Sequence, residues 1–467
     1  MIVGAGPNGL TAAAILLEAG WRVLVVEAAS TPGGGTRSAE LTLAGFVHDV
    51  CSAIHPLAVA SPAFRSLPLE RHGVEWIHPD VPVAHPIDGG RAGILERSVE
   101  ATAQRLGVDG DAYRSLMGPL VRHGDALAQS LLSPLELPPR HPLVLARFGV
   151  HAVRSAQSLA RRWTSDEAGG LLAGLAAHSI LPLSAAGTGG YGLFLGALAH
   201  HVGWPMAKGG SGAIAAALAS IVVERGGVIE CDHRVSSLAD LPAAKATVLD
   251  LTPAQVIALG GDRVPPRYRR ALQRYRYGAG VFKIDWALDG PIPWTHPDVA
   301  GAATVHVGGT MAQVAASEAD VAAGRHSDRP FVLVVQPSSF DPSRAPEGKH
   351  TGWAYCHVPA GSTLDRTDAI ESQVERFAPG FRDRILARAV MNTSDLSNYN
   401  ANYIGGDIAG GLGSVRQVAF RPVPSLHPWV TPIDGVYLCS ASTPPGGGVH
   451  GMGGWHAARA AIARNPG

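Results

Sequence analysis

Charge is scarce in this chain and it is balanced. Asp, Glu, Lys and Arg make up only 16% of the 467 residues, and 38 cationic side chains meet 38 anionic ones for a formal net charge of zero. Without a basic field there is nothing to hold a polyanion, so no nucleic acid is expected as a partner. Cysteine is just as thin. Cys51, Cys231, Cys356 and Cys439 are scattered, with no C-x-x-C pair and no spacing suited to a metal, so buried free thiols in a reducing compartment are expected and no metal. Long apolar spans are lacking too. Residues 168–207 contain no Asp, Glu, Lys or Arg, but Pro182, a "GTGG" cluster and three histidines divide the run into pieces too short to cross a bilayer. A buried helical wall, or the lining for an apolar ligand, suits that run better. The first apolar strand starts at residue 2, which leaves no room ahead of it for a signal peptide and makes the cytoplasm the expected location.

Glycine is abundant, at 57 residues, and 46% of the chain is apolar. That composition fits a compact globular enzyme of about three domain-sized units. In such a chain a G-x-G-x-x-G spacing is cheap: it begins at Gly4, Gly187 and Gly446. A dinucleotide loop also needs a strand before it, a helix after it and an acid about 20 residues on. Only the first copy has all three. "MIVGAGPNGL" supplies a short strand with Gly4, Gly6 and Gly9, "TAAAILLEAG" reads as a helix, and "WRVLVVEAA" reads as a second strand carrying Glu27. The glycines let backbone approach a pyrophosphate on the helix N-terminus, and Glu27 can accept from two ribose hydroxyls. The copy at Gly187 follows Pro182 rather than a strand and has Lys208 where the acid belongs, so it is rejected. The copy at Gly446, in "GGGVHGMGGWHAARAA", precedes a helix and remains to be explained.

Nucleotide-type elements occur at the start, the middle and the end of the chain, separated by material of different character. The expected fold is therefore α/β, with a Rossmann-type cofactor domain from residues 1–65, 205–262 and 390–467. Residues 66–204, read as loops and amphipathic helices, and 263–389, read as mainly strands, would form an inserted α+β substrate domain.

Taken together, "VGAGPNGLTAAAILLEAGWRVLVVEAA", "PGGGTRSAEL", "GFVHDVCSAIHPL" and "GVYLCSASTPPGGGVHGMGGWHAA" resemble the phytoene desaturase-like branch of the FAD-dependent amine oxidase and carotenoid desaturase superfamily. Nearly the whole chain takes part in the resemblance. It implies one FAD served by both glycine loops. Pro7, Asn8 and Ala28 would then lie beside the first loop and Glu27, and Gly34, Gly35 and Arg37 beside the pyrophosphate. Val235 would meet the adenine, the segment containing Ser52 would pass the flavin ring, and Gly447, Gly448, Val449, His450 and Gly451 would lie at its pyrimidine end. A helix N-terminus at that end would stabilise the negative charge of reduced flavin.

The resemblance also implies an oxidoreductase that desaturates or oxidises an apolar, often polyene or isoprenoid-like, small molecule. The electron acceptor, a peripheral membrane contact and homo-oligomerisation stay open. Candidate proton handlers are His48, His55 and His450, and Lys283, which faces the flavin, points to solvent or pairs with Asp285. Two alternatives also stay open: a non-redox FAD-containing isomerase or hydratase, and a non-catalytic FAD-binding partner protein.

Overall fold

A computed structural model of the chain describes residues 1–133 and 138–465; residues 134–137 and 466–467 of the ranges above lie outside it. Two sheets organise the described residues. The first is parallel, in the order β16-β10-β1-β2-β9, with β1 at Ile2–Val3, β2 at Leu24–Val26, β9 at Val228–Glu230, β10 at Thr247–Leu249 and β16 at Val436–Leu438. Strands from the beginning, middle and end of the chain thus share one sheet. The second runs β15-β11-β14-β13-β12-β6-β7. Its members are β6 (Val81–Ile87), β7 (Arg91–Leu95), β11 (Gly280–Leu288), β12 (Ala302–Val307), β13 (Val332–Val335), β14 (His350–Val358) and β15 (Ile385–Met391). All its pairings are antiparallel except that of β12 with β6. Two short ribbons complete the strands, β3 (Ser38–Glu40) with β4 (Val47–Asp49) and β5 (Trp76–Ile77) with β8 (Met206–Ala207).

Residues 66–204 are not purely helical, because β6 and β7 join the second sheet. β6 reads "VPVAHPI", and two prolines in seven residues hide a strand from sequence reading, since proline cannot donate to a ladder. The uncharged run forms the helices Asp166–Ala177 and Thr188–His201. The first of these lies directly on the sheet: a Cβ at Gly170 would meet the ring of His85 at 2.6 Å, and one at Gly174 would overlap the ring of His306. No helix of the described residues is long and apolar enough to cross a membrane.

The N-terminal helix, Pro7–Glu18, starts on Pro7 at its first position and ends before Gly20, which has φ +80°. Pro pre-sets the helical φ where its missing N–H costs nothing. The last helix, Met452–Arg464, packs on it at backbone distance. A Cβ on Gly454 would overlap the Asn8 carbonyl oxygen and lie 2.9 Å from the Ala12 nitrogen, and one on Gly453 would overlap the Cys439 carbonyl.

A buried carboxylate joins the outlying segments. Asp49 Oδ1 accepts from Ser38 Oγ at 2.8 Å and from the N–H and Oγ of Ser211 at 2.7 and 2.9 Å. Its Oδ2 accepts from Arg344 at 2.9 Å, and both partners of this ion pair are 1% exposed. Burial alone would raise the Asp49 pKa, but the Arg344 guanidinium, the Ser211 N–H and the Ser38 hydroxyl outweigh it and hold the group below its ordinary value.

Two measurements check these contacts. Asp49→Asn leaves Arg344 buried without its counter-charge and should cost about 3 to 5 kcal/mol in urea unfolding at neutral pH. Because the folded-state pKa is depressed, this stabilisation is present above the ordinary carboxylate range and is lost as the pH falls from there through the lower folded-state pKa; the Asn variant should lack that component of the acid-induced loss. Gly454→Ala should destabilise by about 1 to 3 kcal/mol. Gly149→Ala, inside the helix Pro142–Ala152 where a Cβ meets nothing within 4 Å, should be neutral or slightly stabilising in the same urea unfolding.

Candidate functional site

The first glycine loop lies between β1 and the N-terminal helix. Gly4 has φ +100° and donates its N–H to the Val26 carbonyl at 2.8 Å. A Cβ on Gly9 would overlap the Gly4 carbonyl, so the helix can follow the strand this tightly only without a side chain there. Gly6 is the helix N-cap and makes no side-chain cap bond, so the opening N–H groups depend on what approaches them. Pro7 opens the helix, and Asn8 is buried with its Oδ1 lacking a partner.

Glu27 immediately follows β2. Its Oε2 accepts from the Ala5 N–H at 2.7 Å and its Oε1 from the Ala29 N–H at 2.9 Å. Ala28 beside it is exposed. Arg37 reaches Glu27 at 3.5 Å and the Thr31 carbonyl at 2.6 Å, with its guanidinium 5.5 Å from the centre of the Tyr399 ring. The second glycine run lies on the first: a Cβ on Gly34 would stand 3.1 Å from the Gly6 Cα. Gly35 is crowded by the Tyr403 hydroxyl and accepts the Ser52 N–H at 3.1 Å. Past β9 the chain crosses the end of β2, His233 N–H donating to the Glu27 carbonyl at 2.8 Å, and Val235 then packs half-buried against the apolar cluster that includes Val3, Val26 and Leu249. Gly4, Gly6, Gly9, Glu27, Gly34, Arg37 and Val235 are thus gathered around the ends of β1 and β2.

The C-terminal glycines have reasons of their own. Gly446 and Gly448 have φ +120° and +124°, and Gly451, at +66°, is the N-cap of the last helix. A Cβ on Gly447 would meet the Ala409 carbonyl oxygen at 2.5 Å, one on Gly448 would meet Leu57 at 2.5 Å, and one on Gly451 would meet Phe64 at 2.5 Å. Val449 packs half-buried against the core around the N-terminal helix. His450 is committed to the same loop. Its Nδ1 accepts the Met452 N–H at 3.1 Å and its Nε2 bonds the Gly446 carbonyl at 3.2 Å. Burial lowers its pKa to about 4. With both ring nitrogens engaged, His450 holds the loop and has no nitrogen left to move a proton.

His48 and Lys283 do come together. Lys283 contacts Asp285 two residues along β11, and His48 Nδ1 lies 3.6 Å from the other oxygen of that carboxylate. Lys283 pairs with Asp285 rather than pointing to solvent, and both residues are buried. His48 also shares a hydrogen bond with Thr42 at 2.8 Å. Burial, with Lys283 and Arg344 nearby, lowers its pKa to about 3, so His48 is neutral. Burial raises Asp285 to about 6 against the pull of Lys283. His55 lies apart, 3.4 Å from Ser52 Oγ, its Nε2 unpartnered and its pKa lowered by burial to about 4.

Several residues near these groups escaped sequence reading. Across the second sheet Lys283 pairs with Tyr355, and Tyr355 with Leu333; Asp285 pairs with Trp353, and Val281 with His357. His357 Nδ1 meets Glu318 at 2.8 Å, leaving its Nε2 without a partner. Tyr399 donates to the Gly34 carbonyl at 2.7 Å, and Asp250, at the end of β10, receives the Gly9 N–H at 3.1 Å. Asp250 had a signal, an acid closing the apolar run "TVL"; the others depend on pairings between distant segments.

The first strand-loop-helix unit matches the family described as NAD(P)-binding Rossmann-like domain over residues 2–67. Along its length the chain is similar to pyridine nucleotide-disulfide oxidoreductase domain-containing protein 2 of Mus musculus, at 26% identity over 98% of this chain and 92% of that one. It is also similar to the neurosporene-forming phytoene desaturase of Rhodobacter capsulatus, at 26% identity over 96% of this chain and 90% of that one. Among solved structures, putrescine oxidase bound to putrescine shares the fold, with a TM-score of 0.62 and 19% identity over 99% of this chain and 98% of that one. A glycine loop free of side chains on a helix N-terminus, with a carboxylate at the end of the next strand, fits a dinucleotide; the chain shares the fold of an amine oxidase and is similar along its length to a pyridine nucleotide-disulfide oxidoreductase domain-containing protein and a phytoene desaturase.

Proposed function

We propose that this oxidoreductase dehydrogenates an apolar, isoprenoid-like or polyene small molecule. The observation that carries this reading is the face of the second sheet turned toward the uncharged helices. Val83, Val281, Leu333, Val335, Trp353 and Tyr355 lie on it, in one apolar cluster with Leu171, Leu172 and Leu175 of the helix Asp166–Ala177. The same cluster takes in Ala53, next to Ser52 and the second glycine run. A substrate bound against this face would meet an apolar surface beside the cofactor segments.

FAD bound at the glycine loops supplies a two-electron acceptor for a hydride leaving the substrate carbon. The protein residues bind, orient and exclude water. Gly4, Gly6, Gly9 and the opening turn of the helix would receive the diphosphate, Glu27 the ribose hydroxyls, and Gly34, Gly35 and Arg37 would close over them. Lys283, Asp285 and neutral His48 form a buried polar group beside the apolar face, suited to holding a proton close to the reacting carbon.

One observation favours a second reading, a substrate with a polar end. The Glu318 carboxylate fixes His357 through Nδ1, and the buried Nε2 is unpartnered on the same sheet face. Anaerobic mixing separates the two readings. Bleaching of the bound flavin by apolar isoprenoids supports the first, and bleaching only by amines or other polar-ended substrates supports the second. Turnover without bleaching would overturn both in favour of a non-redox reaction.

The purified protein should be yellow and should release FAD on denaturation. Glu27→Ala removes the acceptor for the ribose and also for the Ala5 and Ala29 N–H groups. It should weaken FAD by about 1 to 3 kcal/mol, roughly 5- to 150-fold, measured by titrating FAD into protein stripped of it.

A further inference from the structure

Asp250 occupies an unusual place for an acid. It follows β10, which lies beside β1 in the parallel sheet, so it stands directly against the first glycine loop. Its Cβ is 3.1 Å from where a Cβ on Gly4 would be, and its Oδ2 is 2.8 Å from the corresponding point on Gly6. That oxygen accepts the Gly9 N–H at 3.1 Å. The carboxylate therefore uses one of the N–H groups, and lies over one of the glycines, that a dinucleotide diphosphate needs.

Nothing nearby neutralises it. The opening turn of the helix has no ionisable side chain. The end of β2 brings Glu27, a second acid, answered by Arg37 at 3.5 Å. β16 leads into Cys439, whose thiol is kept protonated by burial and by Asp250 itself. Asn402 donates to the Asp250 backbone carbonyl at 2.9 Å rather than to the carboxylate. Among the described residues the side chain has the Gly9 N–H and no cationic partner. Burial, with Glu27 adding to it, raises its pKa to about 7 against the pull of that N–H. A diphosphate arriving beside it brings further negative charge, which disfavours the ionised form again.

We infer that Asp250 belongs to the cofactor site and carries a proton when the diphosphate is bound, so that uptake of the dinucleotide takes one proton from solvent at this side chain. The protonated acid keeps an oxygen for the Gly9 N–H and offers its O–H to a phosphate oxygen. Above neutral pH the ionised carboxylate must be protonated before the cofactor can be held, and affinity falls. This inference rests on the FAD reading above.

The test is the dissociation constant of FAD, and of ADP-ribose, whose diphosphate keeps one charge state over the range, for protein stripped of cofactor between pH 6 and 9. The wild-type constant should rise above pH 7 by up to about tenfold per unit for both ligands, as linkage to one proton requires. Asp250→Asn, which accepts and donates as the protonated acid does, should give a flat profile near the wild-type value at pH 6. Calorimetry of the unaltered protein at pH 8, in two buffers of different ionisation enthalpy, should register uptake of about one proton. A flat wild-type profile, an Asn profile parallel to it, or no proton uptake would overturn the inference and leave the FAD reading intact. If neither ligand binds at any pH, the FAD reading falls and the inference falls with it.

Discussion

At its N-terminal end the first helix is packed at a distance that admits no side chain. Gly9 meets the Gly4 carbonyl, Gly34 meets the Gly6 backbone, and Gly453 and Gly454 meet the carbonyls of Cys439 and Asn8. These contacts bring the first loop, the second glycine run and the last helix together on one helix end. Backbone N–H groups crowded there face whatever is bound with donors already in place, and reorganising them costs little at the moment of binding. The same closeness explains Gly453 and Gly454: the last helix can reach the first only if neither carries a side chain.

The second sheet solves a different problem. Its covered face carries an apolar patch together with Lys283, Asp285 and His357, and the buried ionisable groups on and beside it are paired: Lys283 with Asp285, Arg344 with Asp49, His357 with Glu318. Pairing makes the burial tolerable, since an isolated charge would shift its pKa until it was neutral. Asp250 lacks such a partner and has only the Gly9 N–H.

The dinucleotide loop was legible because strand, glycines, helix and acid follow one another locally. Context also disposed of the copy at Gly187. There the glycine is only the left-handed N-cap of a helix, at φ +89°. The pairing of Lys283 with Asp285 was open to reading because residues two apart on a strand share a face. The approach of His48 to that pair was not, because it joins segments more than 230 residues apart whose meeting depends on how β4 sits on the second sheet. β6 was hidden by its prolines. Asp250 was visible as an acid ending a strand, but its place beside Gly4 depends on β10 lying next to β1, and local sequence carries no record of that neighbour.

The strand order of the parallel sheet also sets a timetable for folding. β1 and β2 are complete by Val26, while β16 ends at Leu438 and the helix that covers the first one begins only at Met452. At about 5 to 20 residues per second, synthesis of the intervening chain takes on the order of 20 to 80 seconds. Throughout that time Asn8 and Ala12, on which Gly454 packs in the finished fold, have no final cover. A nascent chain paused before β16 therefore exposes a sticky helix beside an unpaired strand edge, a natural target for chaperones and the place where truncated products would aggregate.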